Sequence, residues 1–535
     1  MNAKTQQKIS LPLIFISLGI FCQAAEWQWS QPLDENKTRA YLWIPPECEY
    51  ISAVMLANHN MIEQGILENP IIRNTLAELN IAEIWVVPNL DIRFDPAGNA
   101  GQKFQDMLDY FADSSGYQEL KTAPIITLGH SANATWPWNF AAWNPKRTLA
   151  IISIHGDAPQ TKLTGYGGKN PEWGNRNIDG IPGLMVMAEY EWWEDRLNPM
   201  FEFKQKYPKA VLAFLADAGQ GHFNASSELI SFLAMFIKKA AKTRLPSDLQ
   251  INKTIELINI DPKEGWLIDR WREDKKPIAP PAPYAEFKGD MKEAFWCFDK
   301  EMADMTEAYY EKTRGKLPQL LTINGKSGEP LIFTPQLLPD GVSFKIQTGF
   351  SDYVPKGHPV IWTKLPEGSK IDHADTGDIS LHWIVGPAIQ SATDTFRIQF
   401  SRAEYVPDRR NNDIWIYANH PGDKKYKSMV QQALFKVLPN KEGQEQTITF
   451  PEINNQKVGT KSIKLNATST SGLPVQYYVL EGPAEIEGNT LKFTKIPPRS
   501  KLPIKVTIVA WQWGRGIEPK IKTAQNVTRS FLIEY

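Results

Sequence analysis

The most informative part of this sequence is Ala123-Pro-Ile-Ile-Thr-Leu-Gly-His-Ser-Ala-Asn-Ala-Thr-Trp-Pro-Trp-Asn-Phe-Ala-Ala-Trp143. It begins with a short apolar run, Pro124 to Leu128, whose β-branched residues are typical of a buried strand. A sharp turn at Gly129-His130-Ser131 follows, and then a helix-like segment. A strand, a tight turn with a central serine and a helix form the context of a nucleophile elbow, which raises the serine hydroxyl above the end of a sheet. The N-terminus of the helix would add a positive dipole end and N–H donors for a developing oxyanion.

The triplet Gly-x-Ser alone is a weak signal. The chain has two others, which end at Ser327 and Ser343, and both lie among strand-like stretches with no helix after them. The second glycine of the usual elbow is also missing, because Asn133 stands in its place. Asparagine tolerates unusual backbone angles better than most residues. From the triplet, an ordinary serine at a strand end and a nucleophile are both open interpretations.

The composition is that of a globular protein with several domains. A chain of 535 residues with 42% hydrophobic residues can bury sizeable cores, and we expect three domains. The formal net charge is −1, so no overall charge favours binding to nucleic acid. The 18 tryptophans fit either buried cores or a protein that stacks on sugar rings.

The first 25 residues have the pattern of a secretory signal peptide. Lys4 and Lys8 form a positive region, Leu11 to Phe21 is apolar, and small residues follow near Ala25. The apolar run is too short to span a bilayer comfortably, and no later run reaches transmembrane length. A lipoprotein signal at Cys22 is less favoured, because Phe21 occupies a position that prefers a small residue. We therefore expect an exported protein, periplasmic or secreted to the cell surface, without a transmembrane segment.

Two cysteines would remain after cleavage, Cys48 and Cys297. In an oxidising compartment they could form a disulfide, and two buried free thiols are the alternative.

Residues 26–245 alternate between strand-like and helix-like segments after a polar-edged hairpin at 27–46. This order predicts a mostly parallel sheet with helices on both faces, and ligands of such sheets bind beyond the carboxyl ends of the strands. The predicted strands are 52–58, 82–88, 124–128, 149–154, 184–188 and 211–216, and the predicted helices are 69–79, 101–111, 198–207 and 226–242.

After this domain the pattern changes three times. Residues 246–317 form a connector that contains a stiff proline-rich segment, 277–283, and a predicted helix over 291–316. Short strand-like runs then predict a β-rich domain at 318–446. The last part, 447–535, has the strand spacing and size of an immunoglobulin-like β-sandwich.

Three residues at successive strand ends predict a catalytic triad in the order nucleophile, acid, base. Ser131 is the first, and His222 follows the last strand in a glycine-rich loop. The acid should follow the preceding strand, where we favour Glu191, with Glu189 as a close alternative and Asp157, one strand earlier, as a third. A neutral imidazole would take the proton of the weakly nucleophilic serine, and the carboxylate would stabilise the resulting imidazolium.

The oxyanion hole would need two backbone donors. The N–H of Ala132 follows the nucleophile, and the loop after the first parallel strand can supply a second donor from Asn60 or Met61.

Three histidines, His59, His130 and His155, raise the alternative of a metal site. Their spacing matches no zinc motif, so we expect no metal. The sequence also shows no signal for a nucleotide or other cofactor.

Residues 27–245 resemble an α/β-hydrolase domain. The segments Gly129–Asn133 and Ile154–Pro159 are similar to those of secreted serine esterases of the feruloyl-esterase and polyhydroxyalkanoate-depolymerase type. The resemblance implies an eight-stranded sheet and ester hydrolysis through an acyl-enzyme. The asparagine in place of glycine and the glutamate as acid depart from the common pattern. The C-terminal modules resemble those appended to exported carbohydrate-active enzymes.

These features lead to a predicted fold and function. We expect an α/β-hydrolase domain followed by two smaller β-rich domains, acting as a carbohydrate esterase on acetyl, methyl or feruloyl groups of a polysaccharide or oligosaccharide. A peptidase or lipase on the same fold, and a non-catalytic glycan-binding protein, are the alternatives.

Candidate substrate-binding residues lie on loops at strand ends. Trp192 and Trp193 stand beside the proposed acid, whereas Trp136, Phe140 and Trp143, which share one helix face, are expected in the core. Within the long loop 158–180, the stretch 163–176 resembles a lid, with Tyr166 and Arg176 as possible contacts. A cation there would suit an acidic sugar or its methyl ester, and a solvated arginine is the alternative.

Overall fold

A computed structural model describes residues 26–34, 38–162, 164, 168–247, 254–328, 331–401 and 412–535. The predicted signal peptide and Tyr166 lie outside these residues, so both remain predictions.

The first part of the chain folds around an eight-stranded sheet. Its strands lie side by side in the order β1-β2-β4-β3-β5-β6-β7-β8. The pairs β1–β2 and β2–β4 are antiparallel, and all the other neighbours in this sheet are parallel. Every residue of β3 to β8 is buried, as expected for a parallel sheet covered on both faces. The strands are β1 (Trp29–Pro32), β2 (Arg39–Trp43), β3 (Ala53–Asn58), β4 (Ile81–Val87), β5 (Ile125–His130), β6 (Thr148–Ile154), β7 (Pro182–Ala188) and β8 (Val211–Asp217).

Helices connect the parallel strands and cover the sheet. Helix α3 packs its apolar residues on one face, together with part of α4, and α2 and α6 contribute to the core on the other face. The helices are α1 (Glu63–Leu67), α2 (Pro70–Glu78), α3 (Ala100–Ser115), α4 (Trp136–Trp143), α5 (Glu194–Lys206) and α6 (Ser227–Arg244). The predicted α/β-hydrolase fold class is thus confirmed for residues 26–245, which we call the α/β region.

The connector that follows contains a small sheet and a helix. It comprises β9 (Trp266–Ile268), β10 (Ala282–Pro283), β11 (Phe295–Cys297) and α7 (Lys300–Glu311). The helix predicted over 291–316 is wrong in its first part. Residues 295–297 pair with β9 as a strand, and the helix begins only after Asp299, whose side chain accepts from the N–H of Met302 and caps it.

Residues 318–446, the middle region, are β-rich as predicted. Their main sheet has the strand order β13-β20-β19-β16. The elements are β12 (Leu321–Ile323), β13 (Leu331–Phe333), β14 (Ser343–Lys345), β15 (Thr348–Phe350), α8 (Val360–Thr363), β16 (Ser380–Val385), β17 (Ala388–Ala392), β18 (Thr395–Ile398), β19 (Asp413–His420) and β20 (Met429–Lys436).

Residues 447–535, the terminal region, form a further set of short sheets around a core of their own. The elements are β21 (Ile448–Thr449), β22 (Gln456–Lys457), β23 (Ser462–Lys464), β24 (Thr468–Ser469), β25 (Gln476–Glu481), β26 (Ala484–Glu487), β27 (Thr490–Phe493), β28 (Ile504–Trp511) and β29 (Val527–Glu534). The immunoglobulin-like assignment and the predicted domain boundaries remain predictions.

Cys48 and Cys297 do not form a disulfide; both are free and buried. Within the described part of the chain, no helix is long and apolar enough to cross a membrane.

Candidate active site

Ser131 lies at a strained turn at the carboxyl end of β5. Its φ is +53°, a left-handed conformation that costs a residue other than glycine about 1–3 kcal/mol. The turn is tight: a Cβ built on Gly129 would lie 1.9 Å from the carbonyl oxygen of Asn133, so only glycine fits there. The geometry is therefore that of the elbow predicted from the sequence.

The helix after the elbow begins later than predicted. Residues 131–133 form a 3-10 turn, and α4 begins only at Trp136. The physical reason is Pro137, which lacks an N–H and is tolerated in the first turn of a helix but not further inside.

Asn133, which stands in place of the second glycine, and Gly156 on the next strand end both pack at the elbow. Asn133 is buried, and its side chain donates to the carbonyl of His59 at 2.9 Å, which ties the elbow to the loop after β3. Space for the turn comes from Gly156, after β6, where a Cβ would lie 1.9 Å from the Cβ of Ala134.

The structure brings the three predicted triad side chains together. The Oγ of Ser131 lies 2.7 Å from the Nε2 of His222, and the Nδ1 of the same ring is hydrogen-bonded to the carboxylate of Glu191. This order makes Nδ1–H the donor to the carboxylate and leaves Nε2 as the acceptor for the serine hydroxyl. All three residues are partly exposed, so a substrate can reach them.

The electrostatics favour an ionised acid. Burial alone would raise the pKa of Glu191, but the charge and hydrogen bond of His222 and the charges of His155 and Arg196 lower it to about 2.

The two alternative acids serve other contacts. Glu189 accepts the N–H of Gly219 at 2.8 Å and pairs with the ammonium group of Lys427 at 2.9 Å. Asp157 accepts the hydroxyl of Thr135 at 2.6 Å, beside the start of α4. Among the three carboxylates weighed from the sequence, Glu191 is the one that meets His222.

The predicted backbone donors from the loop after β3 need a correction. The N–H groups of Asn60 and Met61 both donate to the Oε2 of Glu63, at 2.9 and 2.8 Å. They are therefore committed to a carboxylate rather than directed at an oxyanion. The side chain of Asn60 does reach the elbow, since its Nδ2 lies 3.4 Å from the carbonyl oxygen of His130. Ala132 follows Ser131 in the 3-10 turn, where it was predicted.

Glu63 was missed in the sequence analysis. It is completely buried, and its second oxygen accepts the N–H of His130 at 3.0 Å, so it joins the loop after β3 to the residue before Ser131. Burial raises its pKa to about 7, against the lowering effect of these backbone donors. The spacing Asn60-x-x-Glu63 resembles a capping box and is the signal that could have identified it.

The middle region also reaches the site, which the sequence did not indicate. Lys427 forms the ion pair with Glu189, and the carbonyl of Ser428 accepts the hydroxyl of Tyr190 at 2.5 Å. The indole of Trp362 donates to the carbonyl of Tyr190 at 2.8 Å. The turn that carries the acid is therefore held by residues far away in the sequence.

The loop that carries His222 is held by the same region. The side chain of Gln432 donates to Asn224 at 3.0 Å, and the ring of Phe223 packs against Trp415 with centroids 4.9 Å apart.

The two predicted substrate-binding tryptophans lie in different environments. Trp192 packs against Trp271, with ring centroids 4.5 Å apart, and is a packing residue rather than a pocket wall. Trp193 is 45% exposed beside the acid, and the guanidinium of Arg196 lies over its ring.

Within the described residues, the side chain of Arg176 contacts the backbone of Trp173 and not the triad residues. It is exposed and donates to the carbonyl of Trp173, whose ring packs against Phe203 near the far end of α5.

The histidines weighed as metal ligands have other contacts. His59 lies edge-on to Trp85 with centroids 5.3 Å apart, whereas His130 and His155 both contact the backbone of His222. Among the residues that the structure describes, no group of three potential ligands is arranged to hold a metal ion.

Comparison with known proteins gives distant similarities only. No family model and no curated protein matches the chain. Est1E from Butyrivibrio proteoclasticus is 15% identical with a TM-score of 0.27, and the alignment covers 40% of this chain and 97% of that one. An S-formylglutathione hydrolase from Agrobacterium tumefaciens is 13% identical with a TM-score of 0.32, over 40% and 93% of the two chains. A dienelactone hydrolase from Anabaena variabilis is 14% identical with a TM-score of 0.26, over 41% and 96%. Similarities of this size carry no argument about activity or substrate.

Proposed function

We propose that this protein is a serine hydrolase that cleaves esters. The observation that carries the proposal is the continuous chain of hydrogen bonds from the hydroxyl of Ser131 through His222 to Glu191. A serine at an elbow, a histidine on its hydroxyl and a carboxylate on the far ring nitrogen are the parts that covalent acyl transfer needs.

The reaction would proceed in two steps. In the first, His222 takes the proton of Ser131 as Oγ attacks the ester carbonyl, and the tetrahedral intermediate then expels the alcohol, which receives that proton. In the second, His222 takes a proton from water, the hydroxide attacks the acyl-enzyme, and the acid leaves as Ser131 regains its proton. The N–H of Ala132 would donate to the oxyanion.

The substrate class that we propose is an ester-substituted carbohydrate, with acetyl, methyl or feruloyl groups as the part removed. Exposed Trp193 supports this proposal, because it offers an aromatic face beside the acid on which a sugar or feruloyl ring can stack. We also propose that the protein is exported, on the basis of the signal-like pattern in its first 25 residues.

A fluorophosphonate probe tests the catalytic proposal. We expect covalent labelling of the folded protein, located at Ser131 by peptide mass spectrometry and lost in the Ser131→Ala variant. The matched control is Ser153→Ala, because Ser153 is a buried serine on the neighbouring strand. A folded wild-type protein that takes no label would rule out the hydrolase and favour a glycan-binding protein on the same scaffold.

A panel of esters tests the substrate class. Acetylated, methyl-esterified and feruloylated oligosaccharides should be compared with a simple aryl ester, a triglyceride and a peptide. Turnover of the triglyceride or the peptide alone would reassign the protein to the lipases or peptidases.

A further inference from the structure

The backbone carbonyl of His222 is held by two other imidazoles. The Nε2 of His130 and the Nδ1 of His155 each lie 2.8 Å from this one oxygen. A carbonyl oxygen can only accept, so both ring nitrogens must carry a proton. Two donors on one carbonyl fix the position of the residue that would act as the base.

The other nitrogen of His155 faces a second acceptor. Its Nε2 lies 3.3 Å from the Oδ2 of Asp217, and both side chains are completely buried. The second oxygen of Asp217 accepts the hydroxyl of Tyr309 at 2.5 Å. The two nitrogens of His155 thus face a backbone carbonyl and a carboxyl group, which is the arrangement that favours a protonated ring.

The two imidazoles therefore differ in charge. Burial and the charges of His222 and His155 hold the pKa of His130 well below its usual value, so this ring stays neutral. Burial also acts to lower the pKa of His155, but the hydrogen bond of Asp217 and the charges of Glu191 and Asp217 raise it on balance.

The backbone of His155 is strained in the same way as that of Ser131. Its φ is +47°, and it directly follows β6, whose last residue pairs in register with His130 at the end of β5. Its N–H donates to the carbonyl of Val186 at 2.8 Å. A left-handed residue other than glycine persists only where its surroundings hold it, and such residues cluster at functional sites. Here a backbone bond and two side-chain bonds hold it.

We propose that His155 and Asp217 are positioning residues: a buried imidazolium–carboxylate pair that fixes the catalytic base through its backbone carbonyl. The inference rests on the proposed hydrolase function. The pair acts in addition to Glu191, which orients the ring of the same histidine from the side-chain end. The glycine-rich loop 217–224 is otherwise irregular in structure, so an anchor on its backbone reduces the freedom of the ring.

The surroundings determine the expected pH dependence. His155 faces Asp217 at the end of β8, His130 at the end of β5, His222 in its loop, and the charge of Glu191. Asp217 in turn accepts the hydroxyl of Tyr309 of α7, and its charge acts to raise the pKa of Tyr417 in the middle region, where burial has the largest effect. Because the charged ring is the form that binds Asp217, the anchor is complete at low pH and weakens as the pH rises through the pKa of His155.

The His155→Asn variant tests the proposal directly. Asparagine tolerates a positive φ and can place a donor near the position of Nδ1, but it cannot reach Asp217. We expect kcat to fall about 10- to 100-fold with KM changed by less than about threefold, because a small displacement of the base affects chemistry more than binding. The alkaline limb of the pH–rate profile should also shift. The matched control is Glu83→Gln, which breaks another buried ion pair, with Arg73, and should lower stability without changing the profile.

Nitrogen-15 NMR of the wild-type imidazoles gives a readout that does not depend on activity. We expect both nitrogens of His155 to be protonated near neutral pH, and one of them to lose its proton in the Asp217→Asn variant. A neutral ring in the wild type would overturn the proposal, and so would a folded His155→Asn variant with wild-type kcat and pH profile. If Ser131 takes no fluorophosphonate label while His155 is charged, the proposed hydrolase function is contradicted, but the proposed ion pair is still supported.

Discussion

The middle and terminal regions both pack on the α/β region, but they hold different parts of it. The middle region contacts the turn 189–191 and the loop 217–224, which carry two of the three triad residues. The terminal region contacts the edge strand β1 and the end of α3. Their contacts differ in chemistry as well as in place.

The middle-region contact is buried and polar. Lys427 is 6% exposed and lies within 3.4 Å of carboxylate oxygens of three acids, Glu189, Glu273 and Asp274. The attraction of these carboxylates raises its pKa although burial acts to lower it.

The ion pair of the terminal-region contact is more open. Arg499 pairs with Glu119 at 2.8 Å but keeps 30% of its side chain exposed, and its guanidinium lies over the ring of Tyr117. Ser30 of β1 donates to Glu481 at 2.6 Å. The comparison indicates that the middle region is part of the proposed catalytic machinery and that the terminal region supports the fold.

The largest expected effect separates the two acids of the turn. Glu191→Gln should lower kcat by about 10³- to 10⁴-fold, because His222 loses the carboxylate that fixes its tautomer. Glu189→Gln should cost about 10-fold, because His222 keeps its partner and only the contact with Lys427 is weakened. Steady-state kinetics on one ester measures both, and an equal loss in the two variants would mean that the turn, not the acid, limits catalysis.

The next effect tests the middle-region contact itself. Lys427→Met leaves three carboxylates without their buried cation, and breaking a buried ion pair costs about 3–5 kcal/mol. We expect a stability loss of this size by denaturant unfolding and a fall in kcat of about 10- to 100-fold. Lys427→Arg should recover most of both, whereas Lys425→Met, at an exposed neighbouring position, should be neutral. Wild-type kcat in folded Lys427→Met would remove the middle region from the catalytic machinery.

The pH dependence of stability gives a third test. The pKa of Glu191 is about 2 in the folded protein against 4.5 ordinarily, so its contribution is present above pH 4.5 and is lost as the pH falls towards 2. Since one pKa unit corresponds to about 1.4 kcal/mol, the loss is about 3.5 kcal/mol at most. Unfolding free energies between pH 6 and 2.5 should therefore fall less steeply in Glu191→Gln than in the wild type. Parallel curves would contradict the charge pair.

The smallest effect is expected at the terminal region. Arg499→Met should change the free energy of unfolding by less than about 1 kcal/mol, because the ion pair that it removes is partly solvated. We expect kcat and KM to stay at their wild-type values. A clear fall in kcat would show that the terminal region also influences the site and would end the contrast between the two regions.

The parts of the fold that follow from local pattern were predictable from the sequence. Apolar strand runs and turn residues predicted the parallel sheet, and the glycine before Ser131 pointed to the elbow. The error in the connector arose because the apolar residues 295–297 fit a helical pattern as well as a strand. Only pairing with β9 decides between the two.

The contacts within the site were only partly predictable. The order of the strand ends indicated which residues could meet, so Ser131, Glu191 and His222 could be proposed together. The sequence could not show that the N–H groups of Asn60 and Met61 are taken by Glu63, because that depends on the path of a short loop. Nor could it show that Lys427, 238 residues from Glu189, provides the cation for it, because no local pattern records such a contact.

The close approach of Ala134 to Gly156 has a consequence for recognising such proteins from sequence. The last position of the five-residue signature is here Asn133, and the turn packs instead against a glycine of another segment, more than twenty residues downstream. A search that insists on the complete signature would pass over this chain. A search that also accepts a glycine in the turn after the next strand would find it, together with any other chains whose elbow packs in the same way.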